Sequence, residues 1–336
     1  MKVIVDGMGG DNAPVSIVKG SIDAIKEYGV DILLVGNEEI LQKEIDKYNF
    51  DKSKIEILHA SEVITNEEDP ALGIRRKKDS TVVVGLNALK ENKGDFFVSA
   101  GSTGALLAGG LFITKRIKGI NRAALTTVYP TNKGVSLLVD AGANIDSKAE
   151  YLDQFALMGS IYIEEVLGVN NPKVGLANIG AEAEKGNELT KSAYKLLENN
   201  DHINFIGNVE GRDIPLGMAD VIVADGFVGN IILKVTEGVA ISLMGQIKDA
   251  LMTNTKSKLG ALLIKPSLKT LQGKLDYREY GGAPLLGTLQ PIIKAHGSSD
   301  EFAIKNAIRQ GITFTNKEVI SIIEENLKQI NKEDKL

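Results

Sequence analysis

The chain has 336 residues, a formal net charge of −5, 35 glycines and no cysteine. This length allows one large domain or two modest ones and suffices for a substantial buried core. The lack of cysteine excludes disulfides, thiolate zinc sites, iron–sulfur clusters and a cysteine nucleophile. The slightly acidic balance argues against a general nucleic-acid-binding protein. Residues 2–6 predict a strand rather than a signal peptide, and no stretch resembles a membrane span, so we expect a cytoplasmic α/β protein.

Short apolar strands alternate along the chain with helical patterns, and a glycine-rich polar loop joins each strand to its helix. The strands are predicted over residues 2–6, 95–100, 134–139, 173–177 and 220–223. This alternation predicts a parallel sheet with helices on both faces. Ligands of such sheets collect at the carboxyl ends of the strands, so we expect all five loops to lie at one edge, around a site.

The polar residues in these loops favour an anion site. Glycine lets the backbone approach a ligand, and a helix N-terminus favours phosphate. Asp11 or Asn12 is expected to cap a helix over residues 15–28, with Pro14 in its first turn. One such loop is equally well explained as an ordinary strand-to-helix turn, but five together favour the site. Asn12 stands where a dinucleotide fingerprint needs glycine, and no Walker sequence is present, so nucleotide binding is weakly supported.

A basic run, Arg75 to Lys78, precedes a helix predicted over residues 82–90 and capped by residues 79–81. The run fits either a solvated surface or a docking site for an anionic partner, with equal weight.

A second basic segment lies at residues 246–275, which hold six lysines and one acidic residue, Asp249. Apolar residues at helical spacing predict two amphipathic helices around an apolar joint at residues 260–264. Such a surface fits an anionic bilayer, but a helical hairpin packed on the core or on a second subunit fits as well. Further along, residues 281–284 and 295–299 are predicted to form a pair of glycine-rich loops.

The catalytic chemistry available to these residues is limited. Ser102 does not sit in a G-x-S-x-G elbow, and neither a zinc-binding nor a calcium-binding motif is present, so no metal or cofactor is expected. Of the three histidines, only His296 lies between glycine-rich loops. The remaining glycine, asparagine, lysine and hydroxyl groups are suited to binding an anion and stabilising developing charge, without a covalent enzyme intermediate.

Several of these segments together resemble the phosphate acyltransferases of bacterial phospholipid synthesis. The resemblance covers nearly the whole chain. It is carried by DGMGGDNAP at 6–14, RRKKDS at 75–80, SAGSTGA at 99–105, DAGAN at 140–144, NIG at 178–180 with EKG at 184–186, DGFVGN at 225–230, YGGAPL at 280–285 and AHGSS at 295–299.

The resemblance implies transfer of a long acyl chain from acyl carrier protein to inorganic phosphate, giving acyl phosphate for the next acyltransferase. It implies one catalytic α/β domain over residues 1–336, a three-layer α/β/α fold with a mostly parallel sheet, similar to isocitrate and isopropylmalate dehydrogenases and phosphate acetyltransferase. We also expect a protruding amphipathic helical hairpin at residues 244–276, a homodimer, and peripheral contact with an anionic membrane from the cytoplasm. The downstream membrane glycerol-3-phosphate acyltransferase is a further expected partner, and nucleic acid is not.

The resemblance places catalytic importance on Lys185 and Asn230. Lys185 is a charge that suits phosphate or the leaving thiolate, and Asn230 is an amide donor. Lower-ranked candidates for phosphate and substrate positioning are Asn12, Ser102, Thr103, Asn144 and His296, each of which equally fits loop capping. Candidates for carrier-protein or membrane contact are Arg75, Arg76, Lys77, Lys78, Lys256, Lys258, Leu259, Leu262, Leu263 and Lys265.

Three other functions remain as alternatives. A dehydrogenase shares the implied fold, but it needs a nicotinamide site, and the broken fingerprint argues against one. A short-chain phosphate acyltransferase that uses coenzyme A is chemically closer. A non-catalytic membrane scaffold leaves the five polar loops unexplained.

Overall fold

The computed structural model describes residues 1–275 and 277–333, without the side chains of 271, 272, 274, 275, 277, 280 and 331–333. Its strands are β1 Lys2–Asp6, β2 Asp31–Gly36, β3 Ile55–His59, β4 Phe96–Ser99, β5 Ala124–Thr131, β6 Gly134–Val139, β7 Lys173–Asn178, β8 Asn204–Glu210, β9 Val221–Val223, β10 Gly282–Leu286 and β11 Ile292–Ala295. Its α-helices are α1 Val15–Tyr28, α2 Glu38–Ile45, α3 Pro70–Arg76, α4 Thr81–Lys90, α5 Thr103–Gly109, α6 Ala149–Leu167, α7 Glu188–Glu198, α8 Gly226–Leu251, α9 Thr255–Leu275, α10 Tyr277–Tyr280, α11 Glu301–Asn316 and α12 Val319–Glu333.

The strands form one sheet in the order β3-β2-β1-β4-β11-β10-β5-β6-β9-β7-β8. Neighbours pair in parallel in the two outer groups, β3 to β11 and β6 to β8. The central pairs β11–β10, β10–β5 and β5–β6 are antiparallel. Three reversals give the two outer groups opposite directions. The expectation of five loops at one edge is therefore wrong: the loops after β1 and β4 lie at one edge, and those after β6, β7 and β9 lie at the other.

Side chains of alternate strand residues pack against two helical layers, as the period of two in a strand requires. On β1, Val3 and Val5 belong to a core with residues of α1, α6, α11 and α12, whereas Ile4 packs with α4 and α5. In the second half of the sheet, Leu138 of β6 belongs to a third core cluster, against which Ile232 and Leu233 of α8 pack. The predicted three-layer α/β/α fold with a mostly parallel sheet is confirmed.

Local side-chain contacts fix where several helices begin. The side chains of Asn37, Asp69, Asn187, Asp225 and Asp300 each accept a backbone N–H from the first turn that follows. Such caps satisfy donors that a helix start leaves unpaired. Asp225 accepts from both Phe227 and Val228, so α8 begins immediately after β9.

Helices α8 and α9 are joined by residues 252–254, where Asn254 accepts the backbone N–H of Ser257 at 2.9 Å and starts α9. The predicted apolar joint at residues 260–264 is wrong, because these residues lie inside α9. Apolar spacing alone does not distinguish a joint from a helix face, whereas the Asn254 cap does. Position 276, the last residue of the predicted hairpin, lies outside the described residues.

By length and composition, α8 is the one helix in the described chain that passes as a membrane span, since its most apolar 18-residue window has a mean hydropathy of 1.5. This differs from the expectation that no stretch resembles one, because the average over that window stays apolar despite Lys234 and Glu237. Both of these charged side chains line a cleft of the protein. Spanning a bilayer requires them to leave that cleft for lipid, which argues against a span.

Candidate active site

A cleft of about 500 Å³ lies over the central antiparallel strands. Thr103 of α5 stands on one side and Asn230 to Ile241 of α8 on the other, with β5, β10 and β11 beneath. Helix α8 starts at the carboxyl end of β9 and crosses the sheet, so that Thr236 reaches the hydroxyl of Tyr129 on β5 at 2.8 Å. Because of this crossing, the cleft brings together groups from both edges of the sheet.

The loop after β6 is fixed around the buried carboxylate of Asp140. This carboxylate accepts the backbone N–H groups of Leu125, Gly142, Ala143 and Asn144, as well as the amide of Asn144, at 2.7–3.1 Å. Burial raises the pKa of Asp140, while these hydrogen bonds act in the opposite direction. The loop is therefore a rigid support, and its Gly142 lines the cleft beside Asn230.

The first turn of α8 packs directly on this loop. The backbone N–H of Gly226 donates to the carbonyl of Asn144 at 2.8 Å. A Cβ at Gly229 would lie 1.9 Å from the carbonyl oxygen of Asp140, a distance that no side chain tolerates. The glycines of the DGFVGN segment thus allow the close approach that sets Asn230 at the mouth of the cleft.

At the opposite edge, the loop after β1 is tied to the loop after β11. The amide of Asn12 donates to the carbonyls of Ser298 and Ser299 at 3.1 and 3.2 Å, and the backbone N–H of Asp11 donates to the carbonyl of Gly297 at 2.8 Å. The prediction that Asn12 or Asp11 caps α1 is wrong: α1 begins after Pro14 without a side-chain cap. The amide of Asn12 instead bonds to Ser298, which lies 286 residues further along the chain.

The polar end of the cleft holds Lys234, Glu237 and His296. The Lys234 ammonium lies 2.9 Å from the Glu237 carboxylate and 3.1 Å from His296 Nε2. His296 Nδ1 lies 2.9 Å from the hydroxyl of Ser298. The backbone N–H of Ser298 also donates to Nδ1, at 3.2 Å, so both ring nitrogens face a donor, and this arrangement favours a neutral imidazole over the doubly protonated ring. Burial, and then the Lys234 charge, lower the pKa of His296, which favours this neutral form.

Lys294 also lines the cleft, although its side chain is only 7% exposed. Its ammonium donates to the carbonyl of Ala100, at 3.3 Å, and to that of Ala295. Burial lowers the pKa of Lys294 to about 8, while the Asp6 carboxylate acts in the opposite direction. Sequence reasoning missed both Lys234 and Lys294. Two signals were available: Lys234 follows Asn230 by one helical turn, and Lys294 interrupts an apolar strand just before His296.

The predicted site residues separate into two groups. Asn230, Thr103 and His296 line the cleft. Ser102 instead accepts the backbone N–H of Ala105 at 3.4 Å and caps α5. The side-chain amide of Asn144 donates one hydrogen bond to the carbonyl of Ala123 and one to the carboxylate of Asp140. Asn12, Ser102 and Asn144 thus fasten loops around the cleft.

Lys185 is exposed in the loop between β7 and α7 and is not among the residues that line the cleft. This loop is held by Asn178, whose amide donates to the carbonyl of Lys185 at 3.1 Å. Since β7, β9 and β6 are parallel neighbours, the Lys185 loop lies at the same sheet edge as the start of α8.

The two basic surfaces differ in how their charges are used. In the first run, Lys77 contacts Glu68 at 2.7 Å and Lys78 donates to the carbonyl of Ile74, whereas Arg75 and Arg76 are exposed on α3. Pro70, the first residue of α3, packs against Gly104 of α5, which places this surface near the Thr103 side of the cleft. On α9 the exposed candidates are Lys256, Lys258, Leu259, Leu262, Leu263 and Lys265.

A second groove of about 720 Å³ lies between α8 and α9. Its walls are mainly apolar, and it shares Ala240 and Ile241 with the cleft. The groove therefore adjoins the cleft along α8. In the described part of the chain, no group of three or more His, Asp or Glu side chains is arranged to hold a metal ion.

Comparison with known proteins identifies the family. The sequence model of the family described as "Fatty acid synthesis protein" matches residues 1–322. The chain is 54% identical over 334 residues to an enzyme of Alkaliphilus oremlandii named phosphate acyltransferase, covering 99% of each chain. It is 53% identical over 336 residues to the phosphate acyltransferase of Clostridioides difficile, covering 100% of this chain and 98% of that one. The chain belongs to the phosphate acyltransferase family. It is therefore an enzyme, of the acyltransferase class.

Solved structures support the fold of this phosphate acyltransferase family member. A phosphotransacetylase from Streptococcus pyogenes matches with a TM-score of 0.62 at 17% identity, over 96% of this chain and 94% of that chain. A 4-hydroxythreonine-4-phosphate dehydrogenase from Klebsiella pneumoniae matches with a TM-score of 0.51 at 12% identity, over 94% and 99%. At these identities the likeness concerns the fold alone, which this chain shares with a phosphotransacetylase and a dehydrogenase.

Proposed function

We propose that this enzyme transfers a long-chain acyl group from acyl carrier protein to inorganic phosphate and forms acyl phosphate for phospholipid synthesis. One observation carries the proposal. In a chain of the phosphate acyltransferase family, a single cleft joins an amide donor, Asn230, to the ammonium of Lys234, which lies beside His296 and also contacts Glu237. The cation suits the phosphate, and the amide suits the carbonyl oxygen of a thioester.

The reaction proceeds by direct attack. A phosphate oxygen forms a bond to the thioester carbonyl carbon, and the carbonyl oxygen becomes an oxyanion. When this tetrahedral intermediate collapses, the carbon–sulfur bond breaks and the sulfur leaves as a thiolate. The proton of the attacking hydrogen phosphate finally resides on that sulfur. Phosphate is itself a nucleophile, so the enzyme supplies proximity and charge stabilisation rather than a covalent intermediate.

Within this mechanism Asn230 donates its amide hydrogen bond to the oxyanion. Lys234 binds phosphate from the other end of the cleft, and neutral His296 holds the Lys234 ammonium in place. Thr103 contributes a hydroxyl from the α5 side. Lys185 acts on the acyl donor. The carrier-bound thioester enters the cleft past the loop after β7, and the exposed ammonium of Lys185 in this loop stabilises the thiolate that leaves.

The groove between α8 and α9 supports a long acyl chain. It adjoins the cleft at Ala240 and Ile241, and its lining includes Met244, Ile247 and Leu251. Burial of each methylene stabilises the bound chain by about 0.8 kcal/mol. A short acyl group does not reach this groove, so chain length sets how much of it is used.

The outer side of α8 supports a homodimer. Ile231, Val235, Val239 and Leu243 follow each other at intervals of one helical turn and are 46–58% exposed. Such an apolar stripe needs a partner surface in water. On α9, Leu259, Leu262 and Leu263 are 61–82% exposed beside lysines, which supports contact with an anionic membrane and leaves subunit contact there as the alternative.

The donor decides between this function and the coenzyme A alternative. The purified enzyme is given phosphate with either a long-chain acyl carrier protein thioester or a short-chain coenzyme A thioester, and acyl phosphate is detected by mass. We expect product from the carrier-protein thioester at a much higher rate. A preference for the short coenzyme A thioester supports the alternative, and absence of acyl phosphate from both donors overturns the proposed function.

A further inference from the structure

Lys294 is a buried cation at the sheet side of the cleft. It lies on β11, where its neighbours along the strand, Ile292, Ile293 and Ala295, have no exposed surface. Its ammonium reaches the carbonyls of Ala100 and Ala295, at the ends of the strands that border the cleft. Two carbonyl oxygens occupy two of its three N–H donors, and the side chain also borders the open volume of the cleft.

The charge of Lys294 lacks a direct counterion in the described structure, where no carboxylate oxygen lies within 4 Å of its nitrogen. Asp6 is the main negative group that faces it, and the hydroxyl of Ser99 already donates to Asp6 at 2.7 Å. A buried charge without a close partner is costly, because desolvation opposes it. The charged groups that face Lys294 are Asp6 of β1, Asp11 of the following loop, Lys234 of α8 and His296 after β11.

We propose that Lys294 is a further catalytic residue whose ammonium binds the attacking phosphate at the sheet side of the cleft. This assignment rests on the proposed function for the identity of the anion. The phosphate then lies between two lysines, Lys234 from the helix side and Lys294 from the sheet side. Phosphate supplies the counter-charge that the buried ammonium lacks, and the ammonium holds the phosphate against the thioester.

Proton linkage gives this contact a measurable signature. Without an anion, the pKa of Lys294 is lowered to about 8. Bound phosphate favours the charged ammonium and raises this pKa. Above pH 8 the free enzyme must take up a proton in order to bind, so phosphate affinity falls as pH rises. If the pKa in the complex lies above the range tested, the Kd rises about 30-fold from about pH 7 to about pH 9.5.

The test measures phosphate binding by calorimetry without acyl donor, across this pH range. Sulfate is titrated in parallel, because it keeps its two charges throughout and separates the ionisation of phosphate from that of the enzyme. Lys294→Met removes the charge at similar length, and Lys294→Arg keeps a charge that does not titrate. Lys305→Met is the matched control, because this half-buried lysine of α11 pairs with Glu27 at 2.6 Å and does not line the cleft. Thermal unfolding verifies that each variant folds.

We expect the Kd of the wild type and of Lys305→Met to rise with pH for both anions. Lys294→Arg should bind with a Kd that changes little with pH, and Lys294→Met should bind at least tenfold more weakly at about pH 7. Wild-type affinity in Lys294→Met, with only a changed unfolding temperature, overturns the proposal and leaves Lys294 as a counter-charge for Asp6.

The same proteins separate this proposal from the proposed function. Wild-type binding with the expected pH dependence, but without any acyl phosphate from acyl donors, removes the function and keeps the anion site. Acyl phosphate formation by Lys294→Met with an unchanged KM for phosphate removes the site and keeps the function.

Discussion

The central cleft and the α8–α9 arm, residues 241–275, are built on opposite principles. In the cleft, loops from distant parts of the chain are locked by buried carboxylates, such as Asp140 with its backbone donors. In the arm, side chains such as Ile241, Leu262 and Leu263 are 66–82% exposed and have no such support. The cleft is therefore preorganised, as the proposed chemistry on a small anion requires, whereas the arm exposes the apolar surface that we propose for a larger partner.

The largest expected effect comes from the two catalytic candidates. Asn230→Ala and Lys185→Ala should fold normally and each lose at least about 100-fold in kcat, because each removes a group that stabilises charge in the transition state. Acyl phosphate is measured by mass, with Lys191→Ala on α7 and Asn199→Ala immediately after α7 as controls. Full activity in Lys185→Ala restricts catalysis to the residues that line the cleft, and full activity in Asn230→Ala contradicts the oxyanion assignment.

A pair of glycine variants in α8 compares the locked and the open region within one helix. Gly229→Ala forces a Cβ against the Asp140 carbonyl, whereas a Cβ at Gly238 meets no atom within 4 Å. We expect Gly229→Ala to lower the free energy of unfolding by about 1–3 kcal/mol and to reduce turnover. Gly238→Ala should raise that free energy by up to about 1 kcal/mol, since alanine favours a helix.

Urea unfolding and turnover are measured for both variants. Equal stability of the two proteins contradicts the close packing of α8 on the loop after β6.

Charge reversal separates the two candidate carrier-protein surfaces. One variant combines Arg75→Glu with Arg76→Glu near the cleft, and the other combines Lys258→Glu with Lys265→Glu on the arm. The surface that binds an acidic carrier protein should lose about tenfold in carrier-dependent kcat/KM at low salt, with a weaker salt dependence. Unchanged kinetics in both variants remove both surfaces as docking sites.

A smaller effect is expected for membrane contact by the arm. Leu263→Glu is preferred over a change at Leu262, because Leu262 also lines the groove between α8 and α9. It should reduce sedimentation with anionic vesicles a few-fold and leave turnover of soluble substrate intact. Leu196→Glu on α7 is the matched exposed control. If both variants sediment like the wild type, the arm has another partner, for which the second subunit is the first candidate.

The smallest effect concerns His296, whose pKa is lowered from its usual 6.5 by burial and by Lys234. The unfolded chain takes up a proton near pH 6.5 that the folded protein resists, so folding stability falls as pH drops through that value. Urea unfolding at about pH 7.5 and about pH 5.5 should show a larger loss in the wild type than in His296→Gln. An equal loss means that His296 is not held neutral in the cleft.

The sequence predicted the local parts of this fold well. Apolar periodicity located α1 at residues 15–28, and the apolar runs ending at residues 6, 139 and 223 are all strands. The direction of the second half of the sheet was not predicted, because it depends on β5, β10 and β11, for which the sequence analysis gave no strands. Residues 281–284, which include most of β10, were predicted as a glycine-rich loop, and the loop predicted at 295–299 shares only Ala295 with β11. The antiparallel pairing of β10 with β5 joins residues far apart in sequence.

The candidate site was likewise predictable where local motifs define it and not where long-range packing does. Asn230 and His296 were accessible from motifs, since each sits in a glycine-rich loop or helix start. Lys234 and Lys294 were missed because their significance comes from tertiary packing: Lys234 of α8 meets His296, 62 residues further along the chain, and Lys294 lines the same cleft. Conversely, Asn12 and Asn144 are in conspicuous motifs, yet their amides bond to the backbone. A motif identifies a loop, and only the packed structure tells which of its side chains face the ligand.

The central claim is that phosphate attacks the thioester directly. The most direct measurement incubates the enzyme with an acyl carrier protein thioester and isotopically heavy, unacylated carrier protein, with and without phosphate, and follows all acyl species by mass. The account predicts acyl phosphate when phosphate is present and no acyl group on the heavy carrier when it is absent. Acyl transfer to the heavy carrier without phosphate would demonstrate an acyl-enzyme intermediate and contradict direct attack in the cleft.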